Sequence, residues 1–199
     1  MWVVRSAGAP AGYRGVMRWE PLFADLEAQL DRAEQAEALG EVAERTRLEW
    51  ARTGLADRLR AAEDRPLRLV LDGGESVTGR CTDAAPEWVS LGTDTGAALV
   101  PLHAVAWVSG LGREVAPEPG RVLRRLGLAS ALRALARDRA GVRLLTAGGT
   151  VTGTIDRVGA DHLDLAEHPP GEPRRASAVR AVLAVPFPAI RVVRSLGVG

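Results

Sequence analysis

Neither lysine nor asparagine occurs among the 199 residues, and isoleucine is found only at 155 and 190. All three are residues of AT-rich codons, so the composition reads as that of a bacterial chain of actinobacterial type, from a GC-rich genome. All 26 basic side chains are arginine, and under such codon supply an arginine count alone does not indicate bidentate phosphate recognition. The single cysteine, Cys81, excludes an internal disulfide and reads as a small apolar core residue rather than a reactive thiol. The three histidines, His103, His162 and His168, are not spaced with cysteine or acids as a metal site. No apolar run approaches the roughly 18 residues that span a bilayer. Arg5 is not followed by an apolar stretch of about 7–15 residues of the signal-peptide kind. A cytoplasmic location is therefore expected, without a membrane partner.

Enzyme signatures are missing as well. There is no Gly-x-Ser-x-Gly elbow and no serine with an evident His and Asp partner set. Gly73-Gly74 and Gly148-Gly149 are followed neither by Lys-Ser/Thr nor by a helix, so they read as hairpin turns rather than phosphate cradles. No catalytic residue, metal, cofactor or small-molecule substrate is expected.

The chain does contain an internal repeat. Leu67-Arg68-Leu69-Val70-Leu71-Asp72-Gly73-Gly74-Glu75-Ser76-Val77-Thr78-Gly79 returns as Val142-Arg143-Leu144-Leu145-Thr146-Ala147-Gly148-Gly149-Thr150-Val151-Thr152-Gly153. Each copy continues into an apolar alternation, Trp88-Val89-Ser90-Leu91 and His162-Leu163-Asp164-Leu165. Each closes on a Val-Pro step and a β-branched run, from Val100-Pro101 and from Val185-Pro186. A repeat of this length implies two copies of one small β-unit. In copy one, turn signals separate strands at 66–72, 75–83, 88–92, 97–101 and 103–109. Trp88 and Trp107 fall on these strands and are expected to pack inside.

The remaining segments arrange themselves around the repeat. Residues 1–16 have neither period and read as a tail, or as an over-extended start with Met17 as initiator. Residues 17–54 are expected as a helical arm, within helices over about 20–39 and 41–62 or one long bent helix. Pro21 suits its first turn, and Gly40 and Gly54 would each cost about 1 kcal/mol in a helix interior, so they mark bends or breaks. The first unit spans 55–112 with a leading helix, 113–127 is a linker, and 128–199 is the second unit, led by a helix from Leu128 to Arg137. The fold class is thus mainly β with helices (α+β): two tandem five-stranded small barrels behind a helical arm. A polar loop with Arg174 and Arg175 is inserted in copy two.

A helix followed by five strands, with Leu69, Leu71, Gly74, Val77, Gly79, Val89 and Leu91 in copy one and Leu144, Gly149, Val151, Gly153, Leu163 and Leu165 in copy two, resembles the Sm-like fold of Sm, LSm and Hfq proteins. SH3-like barrels use similar alternation and turns. The resemblance covers about 55 residues of each copy and implies RNA binding by rings. The uridine-reading run of that family, Asp-x-aromatic-x-Asn, is absent: the corresponding stretch is Asp83-Ala84-Ala85-Pro86-Glu87-Trp88. His103-Ala104-Val105 is similar to the His-Ala-Ile of Hfq, which makes His103 a candidate nucleic-acid contact. Ring assembly in the family joins strand four of one subunit to strand five of the next. Pro101, Pro186 and Pro188 lie at those edges and cannot donate to a ladder, so a closed pseudo-dimer within one chain is expected rather than a hexameric ring.

Net charge is +1 but unevenly spread. Residues 20–44 carry eight acids against Arg32, and residues 113–199 carry fourteen arginines against eight acids. The arm's stripe of Trp19, Leu22, Phe23, Leu26 and Leu30 has the spacing of a helix that lies in a groove and is the expected protein-docking element. Arg121, Arg124, Arg125, Arg133, Arg137, Arg174 and Arg175, with Arg139 and Arg143, form the candidate phosphate-contacting set. The leading expectation is a non-enzymatic adaptor or scaffold that docks through the arm onto an unknown protein or onto itself. The alternative is an RNA- or DNA-associated regulator using the basic second repeat.

Overall fold

In a computed structural model of the chain, the residues described are 29, 30, 32, 37, 40, 44–48, 50–117, 126–171, 175 and 177–196. The chain divides into two units, Met1–Arg52 and Thr53–Gly199. In the first, residues 44–48 and 50–52 are helical and exposed.

The second unit holds both repeats. Copy one supplies α1 (Leu55–Arg60), β1 (Pro66–Leu71), β2 (Ser76–Ala85), β3 (Trp88–Thr93), β4 (Gly96–Pro101) and β5 (Val105–Ser109). Copy two supplies α2 (Leu128–Arg137), β6 (Gly141–Thr146), β7 (Gly149–Val158), β8 (His162–Glu167), β9 (Ala181–Pro186) and β10 (Ile190–Ser195). A short 3₁₀ turn, Leu102–Ala104 or Phe187–Ala189, follows the proline of each copy. Gly54 is extended and caps α1 instead of continuing a helix, as its position in the pattern implies. The helix expected from Leu128 to Arg137 has those bounds.

All ten strands belong to one antiparallel sheet in the order β5-β1-β2-β3-β4-β10-β6-β7-β8-β9. Each copy therefore keeps its five strands together, and the copies join at one seam, β4 against β10. The ladder does not close either copy into a barrel of its own; among the described residues the sheet is open, with β5 and β9 as its edges. The reason lies at the seam. Strand four of copy one takes strand five of copy two as its neighbour, through Leu99↔Val193 and Ala98↔Arg194. Pro101 does not blunt β4, because the seam uses the residues before it. A proline at a strand end removes no interior ladder bond.

The registers of the copies coincide. Leu69↔Val108 and Arg68↔Ser109 in copy one match Leu144↔Val193 and Arg143↔Arg194 in copy two, and both ladders carry an irregularity at the same place. The long strands β2 and β7 bend at equivalent bulges, Cys81/Asp83 and Ile155/Arg157. Gly79 and Gly153 stand two residues ahead of those bulges, where a neighbouring backbone carbonyl, of Gly92 or Ala166, occupies the place a Cβ would need. Such crowding requires glycine.

Two apolar cores result. The first gathers Leu59, Leu69, Val77, Leu91 and Val100, and takes Val192 from copy two. The second gathers Leu132, Leu144, Leu163 and Ile190, and takes Ala85, Trp88 and Leu99 from copy one. Alternation along β4 and β10 sends Val192 to one core and Val193 to the other, so the seam is buried on both faces. Cys81 occupies the place of Ile155, is buried, and its thiol lies 3.4 Å from the Leu59 carbonyl. Burial pushes that thiol's pKa up, helped by Asp83 and Glu63, which keeps it protonated and inert.

Candidate docking surfaces

The seam shows what these edges do when a neighbour is present. Besides the ladder, the Ser195 hydroxyl lies 3.2 Å from the Ala97 N–H and 3.3 Å from its carbonyl. Arg191 pairs with Asp72 at 2.9 Å. The N-terminus of α2 is held by copy one. Its N-cap is Gly127, which has no side chain to offer, so the Glu87 carboxylate accepts from Leu128 N–H at 2.7 Å. The positive end of the helix dipole favours that acceptor. Trp88 Nε1–H donates to the Leu126 carbonyl at 2.9 Å, and Trp88 is 7% exposed in the second core. Between β3, β4, β10 and α2 a groove of about 430 Å³ remains, with Leu99, Ala131, Leu135 and Val193 on its walls and Asp83 and Arg137 among its polar residues.

The outer edges lack such cover among the described residues. Trp107 on β5 is 52% exposed, and the Arg68 guanidinium lies 5.9 Å from its ring centre. The expected interior place for Trp107 is thereby corrected. Alternation tells which face of a strand a residue takes, and not whether another strand lies beyond it. Its equivalent in copy two, Val192, is 1% exposed because copy one covers it. Leu55, the first residue of α1, is also exposed, whereas Leu128, the first residue of α2, is buried. On the far edge, Val182 of β9 is 60% exposed.

The basic set disperses. Arg133 donates to the Gly159 carbonyl at 3.1 Å, and Arg137 Nε donates to the Arg133 carbonyl at 3.4 Å while lining the groove. Arg175 is exposed, and its carbonyl accepts from Ala178 and Val179. Arg121, Arg124, Arg125 and Arg174 lie outside the described residues. Arg194 was missed in the sequence: it stands directly across the ladder from Arg143, and the two line a common cavity with Thr95 and Gly171. Their pairing follows from register, which composition does not reveal.

His103 is exposed in the 3₁₀ turn after β4. His168 is buried. Its Nδ1 lies 3.0 Å from the Pro169 carbonyl, which can only accept, so Nδ1 carries a proton and donates. Nε2 lies 2.9 Å from the Thr154 hydroxyl, so both ring nitrogens are satisfied. His162 lies 2.8 Å from Asp161, which raises the imidazole pKa above its ordinary value and lowers that of the carboxyl. Among the described residues no group of three or more His, Cys, Asp or Glu could hold a metal, and no helix is long and apolar enough to cross a membrane. Of the arm's docking stripe, Trp19, Leu22, Phe23 and Leu26 lie outside the described residues, and Leu30 is helical and exposed. Comparison of the chain with family models, with curated proteins and with solved structures gives no match.

Proposed function

We propose that the chain is a non-enzymatic adaptor or scaffold that docks protein strands onto the two outer edges of its sheet, with the arm stripe Trp19, Leu22, Phe23, Leu26 and Leu30 as a further docking element. The observation that carries this is the contrast between Trp107, half exposed on an open edge, and Val192, buried where the same edge is covered. An edge strand with an exposed large apolar residue offers both ladder groups and contact area to an added strand. In this reading each copy is a small Sm-like or SH3-like unit. The support is that each runs strand five, one, two, three, four behind a leading helix. A synthetic peptide of residues 189–196, the β10 segment, is expected to slow amide exchange along β9 as β10 covers β4. Unchanged exchange on β9 at about 1 mM peptide removes edge docking.

A nucleic-acid role is the second reading, favoured by one observation. Arg143 and Arg194 face one another across the ladder, an arrangement that like charges disfavour and that an anion offsets, either the Glu75 carboxylate, which lines a cavity with both, or a phosphate. Filter binding of RNA and DNA at about 50 mM salt is expected to show retention that Arg143→Ala with Arg194→Ala lowers. No retention by the native chain removes this reading.

A further inference from the structure

We propose that the groove between α2 and the strands of the seam binds a small amphipathic amine, an apolar body ending in a protonated nitrogen. The groove has a volume of about 430 Å³, a size suited to small organic ligands. It lies over β2, β3, β4 and β10 and not at β5 or β9, so it goes beyond the edge docking proposed above and does not depend on it. Both copies build it: β2, β3 and β4 come from copy one, β10 and α2 from copy two.

The floor of the groove is one ladder row. Asp83 pairs with Ser90, Ser90 with Leu99, and Leu99 with Val193, and residues directly opposite in antiparallel strands share a face. At the usual spacing of neighbouring strands this row is roughly 14 Å long. Its two ends differ in chemistry. At one end Leu99 and Val193 are buried, and the half-buried Ala131 and Leu135 of α2 line the groove with them. At the other end Asp83 is exposed. Its Oδ1 accepts from the Ala84 N–H at 2.8 Å, and among the described residues no cation pairs with its carboxylate. An elongated ligand on this row lays its apolar body on Leu99, Val193 and Leu135 and brings its polar end to Asp83. Sequence order conceals the site, because only register brings positions 83, 90, 99 and 193 together.

The sign of the ligand's charge follows from comparison of the copies. In copy two, Arg157 holds the bulge position that Asp83 holds in copy one, and Asp164 stands opposite it. Opposite charges are thus side by side on that row, a favourable cross-strand pair. Copy one keeps a carboxylate and sets the uncharged Ser90 opposite it. Asp138, the C-cap of α2, adds a second carboxylate to the lining. It stands at the negative end of the helix dipole, where a cation is favoured. Arg137 is the basic residue of the lining, and its Nε is turned to the Arg133 carbonyl. Two carboxylates against one guanidinium give the groove a net negative charge beside apolar walls. An ammonium with an apolar body matches both features at once.

The test is an amide NMR titration of the full chain near neutral pH with octylamine, octanol and octanoate, which share an apolar chain and differ in the charge of the head. Octylamine is expected to shift Ser90, Leu99, Ala131 and Val193. It is expected to bind about threefold tighter than octanol, the factor a partly exposed ion pair supplies, and octanoate is expected to bind most weakly. Asp83→Asn, at an exposed position, keeps an acceptor for the Ala84 N–H. It is expected to remove most of the preference for the amine and to leave octanol binding unchanged. Ala131→Leu narrows the groove and is expected to weaken octylamine and octanol alike; where it unfolds the chain, Asp83→Asn carries the test alone. No shift of these residues at about 5 mM octylamine, where a ligand of this size is expected to bind, overturns the proposal. Equal binding of octylamine and octanol overturns it too, as does a preference for the amine undiminished in Asp83→Asn.

Discussion

Gly153→Ala is expected to cost about 3 kcal/mol of stability, near the upper range for forcing extra atoms into a filled site. For a chain of this size that is a fall in melting temperature of very roughly 10 °C. The ground is that the Ala166 backbone carbonyl occupies the space the new methyl needs, with Glu167 Cα beside it at 3.1 Å. Backbone on a central strand cannot swing aside as a side-chain tip can. Relief would have to come from separating β7 and β8 where six consecutive residues of β8 pair with β9. Gly79→Ala meets the Gly92 carbonyl in the same way and is expected to behave alike. Gly148→Ala serves as the control: its nearest neighbour is a threonine hydroxyl at 3.8 Å, so its melting temperature is expected within about 2 °C of native, as for ordinary surface changes. Thermal unfolding followed by circular dichroism measures all three, and equal melting temperatures for Gly153→Ala and Gly148→Ala would refute the crowding argument.

Trp88→Ala is expected to cost about 3–5 kcal/mol, the usual range for removing a buried tryptophan. Its effect is not confined to the copy that carries it. Trp88 belongs to copy one but lies in the second core, and its indole N–H is bonded to Leu126, just ahead of α2. Truncation opens space beneath α2 and strands the Leu126 carbonyl. Amide exchange in α2 is therefore expected to speed up more than exchange in α1. Trp88→Phe keeps most of the volume and loses the hydrogen bond, so a cost of about 1 kcal/mol is expected. Exchange that accelerates equally in both helices after Trp88→Ala would show that Trp88 does not join the copies.

Strand positions in copy one were legible because apolar alternation and Gly-rich turns are local signals: Asp72-Gly73-Gly74 turns the chain with Gly73 and Gly74 at positive φ, as their types imply. The bounds of α2 were legible for the same reason, from Leu128, Leu132 and Leu135 at helical spacing. Less could be read of the docking surfaces. Arg133 looks available in sequence, yet it is bonded to Gly159. Arg194 drew no attention, yet it faces Arg143. Trp88 and Trp107 look alike on their strands, but one lies under α2 and the other on an open edge.

Local order along the chain was enough to specify two matching sets of strands and the turns between them, because each depends on residues a few places apart. Which strand lies beside β4 was decided by the folded molecule. Strand five of either copy offers the same register of ladder groups, and the choice rests on contacts between residues far apart in the chain: Leu99 with Val193 and Ala97 with Ser195, nearly a hundred places apart, and Trp88 with Leu126 ahead of α2, 38 places apart. From that choice follow the single open sheet, the shared cores and the two edges that no other described strand covers.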